Sequence, residues 1–264
     1  CFSPPVNKTY APLADEKPPL LVKAHGGPTS STSTVWRLDI QFWTSRGFAV
    51  LDVEYRGSAG FGREYRQRMS TRHGWGVMDV DDVCHGALAQ VEAGRVDGNR
   101  LCIDGGSAGG YTTLAALTQK QVFKAGCSKY GIGDITMLAR DTHKFESRYP
   151  DFLIGPWPEA EALYKQRSPV NNLEGLSCPV LLLHGENDKV VPPNQAEAMF
   201  LALKGKGIPT AYVLFPGEGH GWRKADTIKK ALRSELYFFS KVFGFPYTEE
   251  GADPQQPEVD IVGL

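Results

Sequence analysis

The chain has 264 residues, of which 41% are hydrophobic, and this is enough for a single domain with a sizeable core. Its 29 lysines and arginines balance 30 aspartates and glutamates, so no overall field would attract nucleic acid or an anionic membrane. No run approaches the roughly 18 apolar residues of a membrane span, and the first residues lack a signal-peptide pattern. We therefore expect no nucleic-acid or membrane partner, and any partner must be selected by a local site.

The chain is predicted to hold one folded domain, over residues 19–243. Because it does not begin with Met, we interpret residues 1–18 as an N-terminal extension or the remnant of a linker cut from a longer chain. Residues 244–264 are rich in proline and carry acids but no base, so we expect much of this tail to pack poorly. The odd number of cysteines, three of them in apolar runs, favours buried thiols and a reducing, cytoplasmic location.

Apolar runs of strand length alternate with segments of helical periodicity. The runs cover residues 19–24, 48–53, 100–104, 123–129, 179–184 and 210–215. Two helical stripes stand between or after them: Val80, Val83, Ala87, Leu88 and Val91, and then Ile228, Leu232, Leu236, Phe239 and Phe243. Strands that are continuously apolar are covered on both faces. The fold class is therefore α/β, with a mostly parallel central sheet and helices on both faces.

Loops rich in glycine and proline follow five of the predicted strands. They read "HGGP", "YRGSAGFG", "GGSAGG", "HGENDKVVPP" and "FPGEGHGW". An open α/β sheet binds its ligands at the carboxyl ends of its strands. We therefore expect these loops to face one crevice.

The tetrapeptide GSAG occurs twice, and only one of its serines fits the pattern of a nucleophile. A serine presented at a sharp turn between a strand and a helix needs small residues two before and two after it. Gly105 and Gly109 flank Ser107 in this way, whereas Arg56 stands two residues before Ser58 and would crowd such a turn. Ser107 is the predicted nucleophile, and Ser58 is predicted to be a loop residue.

A serine nucleophile needs a histidine as base and an acid that orients the histidine. In the nucleophile-elbow arrangement these follow in the order Ser, acid, His. Asp188 comes after the strand at 179–184 and His220 comes after the strand at 210–215, so order and topology both fit. Glu186 is an alternative acid in the same loop, and His184, at the end of an apolar strand, is predicted to be an interior histidine.

The tetrahedral intermediate of acyl transfer needs two hydrogen-bond donors for its oxyanion. The backbone N–H that follows the nucleophile, that of Ala108, is one of them by construction. The "HGGP" loop can supply the second, because glycines let the main chain approach a substrate closely. Gly27 is our first choice for this donor and Gly26 the second.

Six linked motifs resemble the catalytic domain of the prolyl oligopeptidase family of serine peptidases, most closely its acylaminoacyl-peptidase and dipeptidyl-peptidase-like branch. The motifs are "VKAHGGPTS", "LDVEYRGSAGFGREY", "GWGVMDVDDV", "IDGGSAGGYTT", "LLLHGENDKVVPPNQA" and "GEGHGW". The resemblance implies an α/β-hydrolase fold. It also implies that Ser107, Asp188 and His220 form the catalytic triad.

The sequence departs from the pattern of that family in two respects. Several members use a tyrosine hydroxyl as the second oxyanion donor, at the position of His25, so a backbone donor must replace it here. Similar enzymes also carry a β-propeller before the hydrolase domain. None is expected in this chain, whose first motif arrives by residue 25, although the resemblance predicts one in the full-length protein.

Substrate recognition is less well determined by the sequence. Tyr111 and Trp222 lie close to triad members and could line an apolar pocket, although aromatic residues near a core are commonly packing residues. Arg148 or Glu146, in the segment 140–149, could bind a peptide terminus or form solvated salt bridges.

The resulting hypothesis is a serine peptidase that hydrolyses amide bonds of short peptides through an acyl-enzyme intermediate. Its implied partner is a peptide substrate, with a homo-oligomer as a further possibility. No metal or organic cofactor is implied. The alternatives are a carboxylesterase of the same fold and a catalytically silent hydrolase-fold interaction domain.

Overall fold

A seven-stranded sheet forms the centre of the computed structural model, which describes residues 1–70, 74–141, 148–248, 257 and 259–264. The strands are β1 (Phe2–Ser3), β2 (Leu20–Ala24), β3 (Ala49–Val53), β4 (Leu101–Gly106), β5 (Ala125–Lys129), β6 (Val180–Gly185) and β7 (Thr210–Phe215). Their order is β1-β3-β2-β4-β5-β6-β7. All neighbours are parallel except β1, which runs antiparallel to β3.

Helices cover both faces of this sheet. They are α1 (Leu38–Thr44), α2 (Arg63–Gln67), α3 (Asp79–Glu92), α4 (Ala108–Gln119), α5 (Ile135–Asp141), α6 (Tyr149–Leu153), α7 (Glu161–Arg167), α8 (Asn194–Gly205) and α9 (Ala225–Phe243). Helices α1 and α9 pack on one face, where Trp43, Phe238 and Phe239 are fully buried. Helices α3, α4 and α8 pack on the other face with the larger apolar cluster. The predicted α/β class and the sheet covered on both faces are confirmed.

All six strands predicted from apolar runs are present, but β1 was not predicted. A strand of two residues has no periodicity to detect. It is held by pairing with Leu51 and Val50, and the amino group of Cys1 donates to the carbonyl of Asp52 at 2.6 Å. The beginning of the predicted extension is therefore part of the sheet.

Most residues of the two helical stripes are buried or half-buried. Leu88 is 46% exposed and Ile228 is 42% exposed, so these two lie at the solvent edge of their stripes. All five cysteines are free thiols, and Cys102 and Cys127 are buried in strands, as expected.

The end of the C-terminal tail packs against the sheet, and the expectation that much of this tail packs poorly stays a prediction. Val262 exchanges both backbone hydrogen bonds with Thr210 in β7, at 3.0 and 2.9 Å. Val259 and Ile261 contact the apolar cluster beneath α9. Residues 249–256 and 258 lie outside the described part of the chain. Within the described residues, no helix has the length and apolarity needed to cross a membrane.

Candidate active site

Three loops meet at the carboxyl edge of the sheet and bring Ser107, Asp188 and His220 together. Ser107 directly follows β4, Asp188 follows β6 and His220 follows β7. Because β4 to β7 are adjacent parallel strands, their carboxyl ends open onto the same edge. Three residues that are distant along the chain are thus brought together in space.

Ser107 occupies a strained turn between β4 and α4. Its φ is 58° and its ψ is −124°, in a region that residues with a side chain rarely adopt. A Cβ at Gly105 would collide with the carbonyl of Gly109, and one at Gly109 would collide with the carbonyl of Ala24. The glycines that defined the motif in the sequence are therefore needed for the backbone to pass this turn.

His220 joins the other two side chains by hydrogen bonds. Its Nε2 lies 2.9 Å from Oγ of Ser107 and its Nδ1 lies 2.8 Å from Oδ2 of Asp188. Nε2 accepts from the serine hydroxyl when Nδ1 carries the proton that is donated to the carboxylate. This is the tautomer in which the imidazole can remove the serine proton.

Asp188 is held as a carboxylate by its surroundings. Its Oδ1 accepts the backbone N–H groups of Val190 and Val191, both at 2.9 Å. Burial alone would raise the pKa of Asp188, but Nε2 of His184, 3.5 Å from Oδ2, and the hydrogen bond from His220 outweigh burial and hold the pKa well below its usual range. The group facing His220 is therefore an anion that stabilises a protonated imidazole.

The alternative acid and the interior histidine occupy supporting positions. Glu186 accepts the backbone N–H of Gly217 at 3.1 Å, whereas the carboxylate bound to Nδ1 of His220 is that of Asp188. His184 is fully buried, as predicted, and its Nε2 donates to the carbonyl of Val191 at 2.8 Å. His184 thereby fixes the loop that carries Asp188.

The predicted oxyanion donors lie beside Ser107. A Cβ on Gly26 would stand 3.2 Å from the carbonyl oxygen of Gly106, a tight contact, and 3.6 Å from Cβ of Ser107, so the "HGGP" loop lies directly against the turn that carries the serine. Gly27 and Ala108 line one small pocket together with Ser107. Within the described part of the chain, the backbone N–H groups of Gly26, Gly27 and Ala108 donate to no protein acceptor. They are therefore available to an oxyanion.

A second serine–histidine pair supports the same loop. Oγ of Ser58 donates to the carbonyl of Tyr55 at 2.7 Å and lies 2.7 Å from Nε2 of His25. The His25 ring stacks on Tyr55, whose hydroxyl donates to the carbonyl of His25 at 2.6 Å. Ser58 is fully buried. These contacts fix the residue before Gly26, a supporting role that the sequence did not indicate.

Two cavities meet at Ser107. The first, here called the charged cavity, has about 540 Å³ and is lined by Ser107, His220, Trp222, Lys23, Lys129 and Glu235, among others. The second, here called the apolar pocket, has about 30 Å³ and is lined by Ser107, Ala108, Gly27, Trp75, Leu138 and Leu153, among others. The serine thus has a polar cavity on one side and an apolar pocket on the other.

The three residues proposed for substrate contact fall in different environments. Trp222 lines the charged cavity beside His220, and its ring packs edge-on against Tyr130. Tyr111 is fully buried and its hydroxyl donates to the carbonyl of Arg167, so its assignment to a substrate pocket is wrong: its ring packs beneath Trp75. Arg148 pairs with Asp151 at 3.0 Å at the solvent and lines neither cavity. Glu146 lies outside the described residues.

Two aromatic residues at the site were missed in the sequence. Trp75 forms a wall of the apolar pocket, and Tyr130 packs edge-on against His220 with ring centroids 5.0 Å apart. A Cβ on Gly106 would collide with the Tyr130 ring, which explains the second glycine before Ser107. The position of Tyr130 directly after β5 was the signal available. In the described residues, no three His, Cys, Asp or Glu side chains are grouped so as to hold a metal ion.

A mostly parallel sheet with a serine at the strand-to-helix turn, followed along the chain by an acid and a histidine, defines an α/β-hydrolase fold. The chain belongs to the prolyl oligopeptidase family, whose model matches residues 34–245. It is similar to a puromycin-hydrolyzing peptidase of Mycobacterium tuberculosis, at 49% identity and a TM-score of 0.91 over 97% of this chain and 38% of that one.

Two further relatives agree with this assignment. Dipeptidyl aminopeptidase BIII of Pseudoxanthomonas mexicana is 31% identical over 82% of this chain and 32% of that protein. The acylaminoacyl peptidase of Pyrococcus horikoshii superposes with a TM-score of 0.84 at 27% identity, over 96% of this chain and 40% of that one. The chain therefore spans about a third of the length of the curated relatives it matches.

Proposed function

We propose that the chain is a serine peptidase that hydrolyses amide bonds of short peptides through an acyl-enzyme. The observation that carries the proposal is the continuous hydrogen-bonded path from Asp188 through His220 to Ser107, at 2.8 and 2.9 Å. It is supported by membership of a peptidase family and by relatives that are themselves peptidases.

The chemistry follows from the positions of these groups. Oγ of Ser107 attacks the carbonyl carbon while its proton passes to Nε2 of His220, and Asp188 stabilises the resulting imidazolium. The backbone N–H of Ala108 and that of Gly27, or alternatively Gly26, hold the oxyanion, each contributing about 3 kcal/mol. The C–N bond then breaks as His220 gives the proton to the departing amine. Water repeats the cycle to release the acid and restore Ser107.

The residue on the acyl side enters the apolar pocket. Both first-choice oxyanion donors line this pocket, so a carbonyl bound by them directs the adjoining side chain into it. Its walls are apolar, and its free volume of about 30 Å³ favours small side chains. The similar M. tuberculosis peptidase hydrolyses puromycin, and by analogy we propose release of a single N-terminal aminoacyl group.

A fluorophosphonate probe tests the proposal directly, because it reacts only with an activated serine. Peptide mapping of the labelled protein is expected to place the adduct on Ser107. Alanine and phenylalanine p-nitroanilides should both be hydrolysed, the alanine compound with the higher kcat/KM. A protein that is not labelled, or that is labelled at another serine, would contradict the proposal.

A further inference from the structure

We propose that the charged cavity is a leaving-group site that binds the C-terminal carboxylate of a short departing peptide. This inference rests on the proposed peptidase function and names the substrate class of the same site. The lining of this cavity includes two lysines, apolar side chains of α9, and the side chains of Ser107 and His220.

The position of the charged cavity assigns it to the leaving group. The apolar pocket contains both Ala108 and Gly27, so the acyl part of a substrate lies on that side of Ser107. The leaving nitrogen must point toward Nε2 of His220 to receive its proton. His220 lines the charged cavity and not the apolar pocket. The departing peptide therefore extends into the charged cavity.

Two lysines, Lys23 and Lys129, line this cavity. Lys23 and Lys129 keep 11% and 13% of their side chains exposed, whereas their partners Asp104 and Glu235 are 1% and 0% exposed. Asp104 and Glu235 are thus more deeply buried than the two lysines. Asp39 also lines the cavity and is 32% exposed, but it is paired with Arg37 at 2.6 Å.

The lysines have donors left for a ligand. Nζ of Lys23 donates to both carboxylate oxygens of Asp104, at 3.1 and 2.8 Å, and lies 3.7 Å from Asp39. Nζ of Lys129 donates to Asp104 and pairs with Glu235 at 2.8 Å. An ammonium carries three N–H groups, so within the described part of the chain each lysine retains one donor beyond these bonds. Two such donors suit a carboxylate.

The protonation of the cluster favours an anion. Burial alone would lower the pKa of Lys23 and Lys129, but the neighbouring carboxylates outweigh burial and hold both pKa values above the usual range. Burial raises the pKa of Glu235 to about 7, against the opposing attraction of Lys129. With Glu235 protonated, the lining formed by the described residues holds three cations, Lys23, Arg37 and Lys129, and three anions, Asp39, Asp52 and Asp104. Protonation of Glu235 therefore removes a fourth negative charge that would repel an incoming carboxylate.

The cavity also fits the rest of a short peptide. Ile228 and Leu232 of α9, with Trp222, add apolar side chains to the lining of the charged cavity. Oε1 of Glu235 is buried and has no hydrogen-bond partner among the described residues, so a peptide N–H can satisfy it. A volume of about 540 Å³ exceeds the needs of a single amine.

Two substrates that differ only in their C-terminal group test the inference on the wild-type chain. We expect Ala-Gly-Gly with a free carboxylate to be cleaved with a kcat/KM roughly tenfold above that of Ala-Gly-Gly-amide, because a charge-assisted hydrogen bond is lost in the amide. Alanine p-nitroanilide reports the basal reaction. Equal kcat/KM for acid and amide, with the p-nitroanilide still hydrolysed, would overturn the leaving-group site and leave the peptidase proposal standing. Loss of both probe labelling and p-nitroanilide hydrolysis would overturn both.

Variants locate the discrimination in the cavity. Lys23→Met keeps the apolar stem and leaves Asp104 paired with Lys129, and it should bring the acid-to-amide ratio close to one. Leu232→Trp fills the cavity and should lower tripeptide cleavage relative to the p-nitroanilide. If Lys23→Met does not fold, the Leu232→Trp variant still tests the assignment. Leu201→Trp, at an exposed position of α8, is the matched control and should change neither ratio. An unchanged acid-to-amide ratio in a folded Lys23→Met would refute the assignment.

Discussion

The two GSAG segments have the same four residues and opposite settings. Both serines lie against an imidazole, Ser107 at 2.9 Å from His220 and Ser58 at 2.7 Å from His25. Ser107 occupies a strained turn and lines both cavities. Ser58 is fully buried and donates to the carbonyl of Tyr55. Contact between a serine and a histidine is therefore not sufficient for a nucleophile.

The two imidazoles differ in the groups that their Nδ1 atoms face. Nδ1 of His220 faces the buried carboxylate of Asp188, which can stabilise a positive charge. Nδ1 of His25 faces the carbonyl of Gly26 and the hydroxyl of Tyr55, and burial lowers the pKa of His25. One ring is arranged to take up a proton, and the other is arranged to remain neutral within a packed loop.

The strongest test of this comparison is Ser107→Ala. We expect loss of fluorophosphonate labelling and a fall in kcat of at least about 10⁴-fold, because the nucleophile is removed while the binding groups remain. Turnover of alanine p-nitroanilide and labelling measure the two effects. Persistent labelling of this variant would show that another serine is the nucleophile.

The next largest effect is expected for Asp188→Asn. The amide cannot stabilise the imidazolium and favours the wrong tautomer of His220, so kcat should fall on the order of 10⁴-fold. Glu186→Gln, in the same loop, is the matched control and should retain activity. If the two variants exchanged these phenotypes, Glu186 would be the orienting acid.

Ser58→Ala should have a much smaller effect. It removes a buried hydroxyl that holds His25, leaving its partners unsatisfied at a cost of about 1–3 kcal/mol in the free energy of unfolding. We expect labelling to persist and kcat to fall by no more than about tenfold, through the loop that carries Gly26 and Gly27. Urea unfolding and p-nitroanilide kinetics measure both quantities. A loss as large as that of Ser107→Ala would abolish the distinction between the two segments.

The smallest expected effect concerns Asp79, which binds α4, the helix that follows Ser107. Asp79 accepts the hydroxyl of Thr112 in α4 at 2.6 Å, and burial raises the pKa of Asp79 to about 6. A raised folded-state pKa makes a contribution to stability that is complete below pH 4 and is lost as pH rises through about 6. Burial raises the pKa of Glu235 to about 7, so Glu235 also makes a contribution to stability that is lost as pH rises.

Asp79→Asn should therefore weaken the decline in stability between pH 5 and pH 7.5 without removing it. The amide retains an acceptor for the N–H of Gly76, which Asp79 binds at 2.6 Å. The free energy of unfolding in urea at the two pH values gives the decline. An identical decline in wild type and variant would show that Asp79 does not titrate in this range.

Local patterns in the sequence predicted much of the architecture. The six main strands were found because buried parallel strands are continuously apolar. Ser107, Asp188 and His220 could be proposed as a group because parallel strands place their following loops on one edge. Tyr111 was assigned wrongly, because proximity along the chain to Ser107 does not reveal whether a ring points to solvent or into the core. The strand β1 was missed because pairing at a sheet edge needs only two residues.

The sequence by itself determined the class of fold, the motif at Ser107 and the order of the candidate triad, since each depends on local periodicity or on residue types at short spacing. Only the tertiary structure decided the charged cavity. Lys23, Asp104, Lys129 and Glu235 come from three strands and a helix, and each alone resembles an ordinary charged residue. Their charges, exposures and free donors are properties of the assembled cluster, because electrostatic interactions depend on distance and burial and not on separation along the chain.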